Sequence, residues 1–195
     1  MQNAILIHPA VAEEFAFAAK ELAARGWGGE RGGNLSLRMP DGSVFITRTG
    51  ASMPQVAQEA KDYLCLVSES GAKLAGEGEP SMELLAHLFV YEATRRNNPA
   101  IAAMAHSHPP ALMHWAEMEP RPRLRVVELT NDEIAVVPPL PEGSRELAEA
   151  TAEAAAQGAR LIIWRGHGAV ALDETLHQAI LLLEHAEEEA ELKVE

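Results

Sequence analysis

Short strand-like runs follow one another across tight turns in this chain, and longer stretches of helical periodicity interrupt them. That order constrains the fold more than any other feature. Strands joined by a few turn residues pair antiparallel, whereas a helix between two strands permits a crossover. Asn34 to Met39 and Ser43 to Arg48 flank the Pro40-Asp41-Gly42 turn, and Tyr63 to Ser68 is closed by Ser70-Gly71. Ile101 to Ser107 is an apolar run cut off by Pro109-Pro110. Leu161 to Trp164 is another, and Leu124 to Leu129 and Glu133 to Val137 are weaker strand candidates. Helical spacing marks Pro9 to Arg25, with Gly26 as its stop, and Ser81 to about Arg96, with Ser81 as N-cap and Asn97-Asn98-Pro99 as the stop. Ser144 opens an alanine-rich helix that Gly158 ends, and a last helix begins near Thr175, where Thr175 and Gln178 suit a capping box. The mixture predicts a sheet with many antiparallel pairs and helices on both faces.

At 195 residues the chain fits one domain, residues 1–195, large enough to bury a core without disulfides. A hydrophobic fraction of 47% against 23% charged residues is that of a globular protein rather than a disordered one. No apolar run approaches the roughly 18–20 residues that span a bilayer. Met1 to Pro9 lacks the basic start and apolar stretch of a signal peptide, and Cys65 has no internal disulfide partner, so the cytoplasm is the expected compartment. The formal net charge of −13 makes nucleic acid and anionic membrane poor partners. A small phosphorylated substrate is still admissible, because a few backbone N–H groups and one or two cations hold a phosphate locally.

In His106-Ser107-His108 the two imidazoles stand at i and i+2 at the end of a predicted strand, so both point to one face at the sheet rim. The same pair is compatible with one core and one surface histidine. His167 lies between Gly166 and Gly168 just after the run Leu161 to Trp164, where small neighbours let the backbone approach another element. Alone it also suits an ordinary turn histidine. Together the three make the ligand set of an enzyme metal site that keeps a fourth position open, and zinc is the expected ion. Glu83 opens the helix that leads to the His106 strand; beside a metal it could take a proton from substrate carbon, and otherwise it is a first-turn glutamate favoured by the helix dipole. His87 follows one turn later and shares that face, as a partner behind the site.

Gly32-Gly33-Asn34, Thr47-Arg48-Thr49-Gly50 and Ser81 offer the small residues, hydroxyls and N–H groups that surround phosphates. None matches a P-loop or a dinucleotide fingerprint, and they matter only if the fold brings them together.

The order of these pieces resembles the class II aldolase family, which also contains adducin head domains. The matching segments are Gly-Gly-Asn-Leu-Ser-Leu-Arg (32–38), Ile-Thr-Arg-Thr-Gly (46–50), Pro-Ser-Met-Glu (80–83), Ala-His-Ser-His (105–108) and Gly-His-Gly-Ala-Val (166–170). The resemblance implies an α/β fold, a three-layer α/β/α sandwich with a mixed, mostly antiparallel sheet, assembled as a homotetramer with sites at subunit interfaces. It implies zinc on His106, His108 and His167, proton abstraction by Glu83, and phosphate contacts at Gly33, Asn34, Thr49, Gly50 and Ser81. Gly26-Trp27 with Gly32 to Leu35, and Leu172 to Leu176, look most like the rhamnulose-phosphate aldolases. The implied reaction is reversible cleavage of L-rhamnulose 1-phosphate or L-fuculose 1-phosphate to dihydroxyacetone phosphate and L-lactaldehyde through an enediolate. Met82 replaces a second hydroxyl residue of the pattern, Arg31 replaces an asparagine, and neither Tyr63 nor Tyr91 matches the fuculose enzymes' proton donor. Glu128 falls near a second acidic residue that rhamnulose enzymes contribute across the interface, and is the second acid/base candidate. The same scaffold also carries sugar-phosphate epimerases, methylthioribulose-1-phosphate dehydratases and non-catalytic adducin heads, which are the alternative readings.

Overall fold

The computed structural model describes residues 6–28, 32–127, 129–130 and 133–194. Helix α1 (Pro9–Arg25) leads to a hairpin of β1 (Asn34–Arg38) and β2 (Val44–Thr47). A short helix α2 (Met53–Gln58) and a 3-10 turn (Ala60–Tyr63) then lead to β3 (Leu64–Val67) and β4 (Lys73–Ala75). After α3 (Leu84–Asn97) come β5 (Ala103–Ser107), α4 (Pro110–Glu117), β6 (Ile134–Val137), α5 (Arg145–Ala156), the hairpin β7 (Leu161–Trp164) and β8 (Gly168–Asp173), and α6 (Leu176–Val194).

The strands form one sheet in the order β4-β3-β2-β1-β5-β8-β7-β6. Every pairing is antiparallel except β6 with β7, which the α5 crossover makes parallel. Alternation along the strands feeds two cores. Leu35, Leu37, Ala103, Ala105, Leu161 and Ile163 pack under α1, α2, α4 and α6, whereas Ile46, Cys65, Met104, Ile162, Val170 and Leu172 pack under α3 and α5. The expected three-layer α/β/α sandwich with a mixed, mostly antiparallel sheet is the observed fold.

Several boundaries differ from the sequence reading, each for a visible reason. Helix α3 begins at Leu84, not at Ser81. Pro80 bridges Arg48 and the Ser81 N–H donates to Thr47 O at 3.0 Å, so residues 80–81 are tied to the end of β2 and extended. Ser81 instead caps a turn, its Oγ accepting from the Glu83 N–H at 3.3 Å. The described residues between Leu124 and Leu129 form no strand. Leu124 and Val126 alternate inward onto the helical layer, and the Arg125 N–H meets a Glu189 carboxylate oxygen at 3.3 Å rather than a neighbouring strand. Helices α2 and α4, which the sequence pattern does not mark, carry Pro54 and Pro110 in their first turns, where proline costs no hydrogen bond. Strand β8 was hidden by its glycine and alanines. The Ser144 and Thr175 caps are as expected: Ser144 Oγ accepts from Leu147 N–H at 3.1 Å and Thr175 Oγ1 from Gln178 N–H at 3.2 Å.

Candidate metal centre

Three adjacent central strands build the site. Asn34 at the start of β1 pairs with His106 near the end of β5, and His106 pairs with Val170 on β8. His108 lies just past β5, on the same side as His106, its N–H donating to Trp27 O at 3.0 Å. His167 sits in the β7–β8 turn, its N–H donating to Trp164 O at 3.0 Å. One ligand nitrogen from each ring lies within 4.8 Å of the other two. Centroids are 4.9 Å apart for His106 with either neighbour and 5.9 Å for His108 with His167.

Two glycines make this convergence possible. A Cβ on Gly168 would lie 2.6 Å from His106 Cε1 and 2.7 Å from His108 Cδ2, so any larger residue displaces the rings. Gly33 has φ +82°, and a Cβ there would fall 2.6 Å from the His106 carbonyl oxygen.

Glu83 reaches into the middle of the triad from the turn before α3. Its Oε1 is 3.1 Å from His167 Nε2 and its Oε2 is 3.5 Å from His106 Nε2. His106 Nδ1 lies 3.0 Å from Ala169 O; a carbonyl only accepts, so Nδ1 bears the hydrogen and Nε2 offers a lone pair. Burial dominates the His106 imidazole and, with the neighbouring rings and against the pull of Glu83, holds it down at about 3. Burial likewise lowers His108. For Glu83 burial pushes upward, but His106, His167 and the Asn34 amide outweigh it and bring the carboxyl to about 2. At neutral pH a carboxylate and a neutral His106 therefore confront each other lone pair to lone pair. His167 Nδ1 is buried with no hydrogen-bond partner among the described residues. A carboxylate facing the His106 lone pair, with two further imidazoles converging on it, is a fit for a divalent cation, and three imidazoles match the ligand set of an open zinc site.

The rest of the cleft assembles the loops singled out by sequence. Gly33, Asn34, Thr49, Gly50 and Ser81 line one pocket with Glu83 and the three histidines. Thr49 Oγ1 donates to Pro80 O at 2.8 Å, which ties the β2 loop to the Glu83 turn. The Asn34 side chain faces inward, its Nδ2 donating to Glu83 Oε2 at 2.6 Å and its Oδ1 meeting His87 Nε2 at 2.5 Å. Glu128 and Arg31 lie outside the described residues.

Two charged cleft residues had no role of their own in the sequence reading. Arg48 lines the pocket with its guanidinium 4.6 Å from the centroid of the Tyr63 ring, and Glu142 brings a carboxylate oxygen to 4.0 Å from His167 Nε2. Arg48 lay inside a segment already noted for phosphate contacts. Nothing in the sequence around Glu142 sets it apart from a surface loop. Behind the site, Ser36 and Tyr91 join His87. Their signal was present as Glu83, just before α3, with His87 and Tyr91 on it at four-residue spacing, facing Asn34 and Ser36 at two-residue spacing on β1.

Residues 13–194 match the Class II Aldolase and Adducin N-terminal domain. The chain is 30% identical to a 3-oxo-tetronate 4-phosphate decarboxylase of Escherichia coli (strain K12), over 98% of this chain and 90% of the relative. It is 31% identical to an L-fuculose phosphate aldolase of Methanococcus vannielii, over 83% of each chain. Among solved structures, a sugar-phosphate aldolase from Thermotoga maritima superposes with a TM-score of 0.80 at 25% identity, covering 94% of this chain and 93% of that one.

Proposed function

We propose, for a chain that belongs to the Class II Aldolase and Adducin N-terminal domain family, that the cleft holds zinc and breaks a carbon–carbon bond in a phosphorylated ketose. The observation that carries this reading is the ionised Glu83 carboxylate set among three converging imidazoles. His106, His108 and His167 would hold the ion. When bound, it supplies Lewis-acid withdrawal of charge at the substrate's carbonyl oxygen. Glu83 moves the proton: in the synthetic direction it takes one from the hydroxymethyl carbon of dihydroxyacetone phosphate, and the resulting enediolate adds to L-lactaldehyde. Cleavage of L-rhamnulose 1-phosphate or L-fuculose 1-phosphate is the reverse. Thr49, Gly50, Ser81 and the backbone at Gly33 and Asn34 receive the phosphate, with Arg48 adding positive charge in an otherwise acidic protein. Glu128, carried on a neighbouring copy of a homotetramer, is the second acid/base group in this proposal.

A second reading has its own support in the decarboxylase relative. Loss of CO2 from 3-oxo-tetronate 4-phosphate also leaves the enediolate of dihydroxyacetone phosphate, and Glu83 would pass a proton taken up from water to its carbon. Both readings predict that the zinc-loaded protein exchanges a carbon-bound hydrogen of dihydroxyacetone phosphate with deuterium in D2O. The products then separate them. Incubation with each of the three substrates would be followed by assay of dihydroxyacetone phosphate and of its co-product, lactaldehyde or CO2. Exchange and product formation should vanish with a chelator and in Glu83→Gln. Glu128→Gln should slow aldol cleavage while leaving exchange intact. Absence of exchange, with turnover that releases no three-carbon fragment, would instead favour an epimerase or dehydratase.

A further inference from the structure

Behind Glu83 runs an unbroken chain of buried hydrogen bonds between α3 and β1. Tyr91 Oη lies 2.7 Å from Ser36 Oγ, Ser36 Oγ lies 2.6 Å from His87 Nδ1, and His87 Nε2 lies 2.5 Å from Asn34 Oδ1. Asn34 Nδ2 closes the chain on Glu83 Oε2 at 2.6 Å. Ser36 and His87 are fully buried, and Tyr91, Asn34 and Glu83 are each less than a tenth exposed. Polar groups this deep in a core cost free energy unless every one is satisfied.

The donor and acceptor roles admit one assignment. An ionised carboxylate only accepts, so Asn34 must turn its NH2 toward Glu83 and its oxygen toward His87. His87 must then donate from Nε2. Burial holds His87 neutral, down at about 4, so Nδ1 carries no hydrogen and accepts from the Ser36 hydroxyl. Ser36 in turn accepts from the Tyr91 phenol, which burial keeps protonated. Every link donates toward Glu83.

We infer that His87, in its Nε2–H form, is a positioning residue: the Tyr91–Ser36–His87 chain locks the Asn34 amide so that it occupies Glu83 Oε2 and leaves Oε1 as the oxygen that exchanges the proton. The geometry supports that division of labour. Oε1 lies 3.1 Å from His167 Nε2 and takes no bond from the relay, whereas Oε2 already accepts the 2.6 Å bond from Asn34. An unlocked Asn34 could flip and set its oxygen against the carboxylate, turning Glu83 out of register. The inference assigns a function to His87 and so deepens, and for its kinetic arm rests on, the reading of Glu83 as the proton carrier.

Two measurements on the zinc-loaded full chain test it. The first is independent of activity. Long-range proton–nitrogen NMR of histidine-labelled protein at pH 7 should show His87 with hydrogen on Nε2 and none on Nδ1; hydrogen on Nδ1 overturns the relay. The second is deuterium exchange into dihydroxyacetone phosphate. His87→Phe should lower the maximal exchange rate about 10- to 100-fold while half-saturation moves by less than about threefold. His87→Gln should recover most of that rate, because a glutamine N–H can stand where Nε2–H stands. Equal losses in both variants, or unchanged exchange in His87→Phe, overturn the proposal. If His87→Phe does not fold, Ser36→Ala carries the kinetic arm, with an expected loss of several fold and unchanged half-saturation; no loss overturns it. If the unmodified protein exchanges nothing, the proposed reaction fails, and the tautomer measurement alone decides the relay.

Discussion

Two glutamates are buried on opposite sides of the sheet, and they do opposite things. Glu187 on α6 is 4% exposed and spends its carboxylate on the start of α4, accepting from Ala111 N–H at 2.9 Å and Leu112 N–H at 2.7 Å. Glu83 is 7% exposed and spends its carboxylate on two imidazoles, His106 and His167, and on the Asn34 amide. Burial raises the Glu187 carboxyl, and its two backbone bonds, with Glu191 adding to the rise, do not reverse that. Burial also pushes Glu83 upward, yet its neighbours pull it down to about 2. Depth alone therefore does not mark a working carboxylate. The partners decide: orphan helix N–H groups make Glu187 a structural cap, and ring nitrogens facing a cleft make Glu83 the base of the proposed reaction.

The sharpest break between the two is Glu83→Gln. Exchange of dihydroxyacetone phosphate hydrogen should fall by about 100- to 10,000-fold, while thermal melting moves little. A variant that kept its exchange rate would remove Glu83 from the chemistry. Next comes the group that supports Glu83. His87 titrates at about 4 in the fold against an ordinary 6.5, so the unfolded chain takes the proton more readily. Its contribution is complete above pH 6.5 and is lost as pH falls toward 4, on the order of 3 kcal/mol in full. Urea denaturation at pH 7.5, 6 and 5 should show that slope in the native chain and a flatter one in His87→Gln; parallel curves would contradict a neutral buried His87.

Glu187→Ala should cost about 1–3 kcal/mol of stability by orphaning the α4 N–H groups, with the exchange rate unchanged. If it slowed exchange as Glu83→Gln does, the contrast between the two carboxylates would collapse. Glu187→Gln is the mildest test, since one acceptor oxygen survives, and the expected loss is about 1 kcal/mol or less. Because the native Glu187 carboxyl is raised, its contribution is present below the ordinary carboxylate value and lost as pH rises past it. Denaturation of both proteins at pH 4 and pH 7 should show the native protein's margin over Glu187→Gln shrinking at the higher pH.

Much of the scaffold was legible in local pattern. The helices α1, α5 and α6, the β1–β2 hairpin and the strands β3, β5, β6 and β7 follow periodicity, caps and turn residues that act over a few positions. The missed elements broke those local rules with tertiary support. Proline opened α4 where a core waited for Leu112 and Trp115, and Gly168 with its following alanines became a strand because two partners flank it. The reading of Leu124 to Leu129 failed in the opposite way, since inward alternation there had no strand to pair with.

The site divides along the same line. Residue types and chain order were enough to single out His106, His108, His167 and Glu83, and their resemblance to a family grouped them. Sequence spacing also placed His87 on the face of Glu83 and the phosphate-type loops near strand ends. Only the tertiary structure decided which nitrogen of His106 is free, which way the Asn34 amide turns, and that Ser36 and Tyr91 stand behind Glu83. Those choices depend on hydrogen bonds between residues 49 to 55 positions apart in the chain and on burial that removes water as the alternative partner. No local pattern encodes such a contact, because its direction is set by whichever neighbour can only accept.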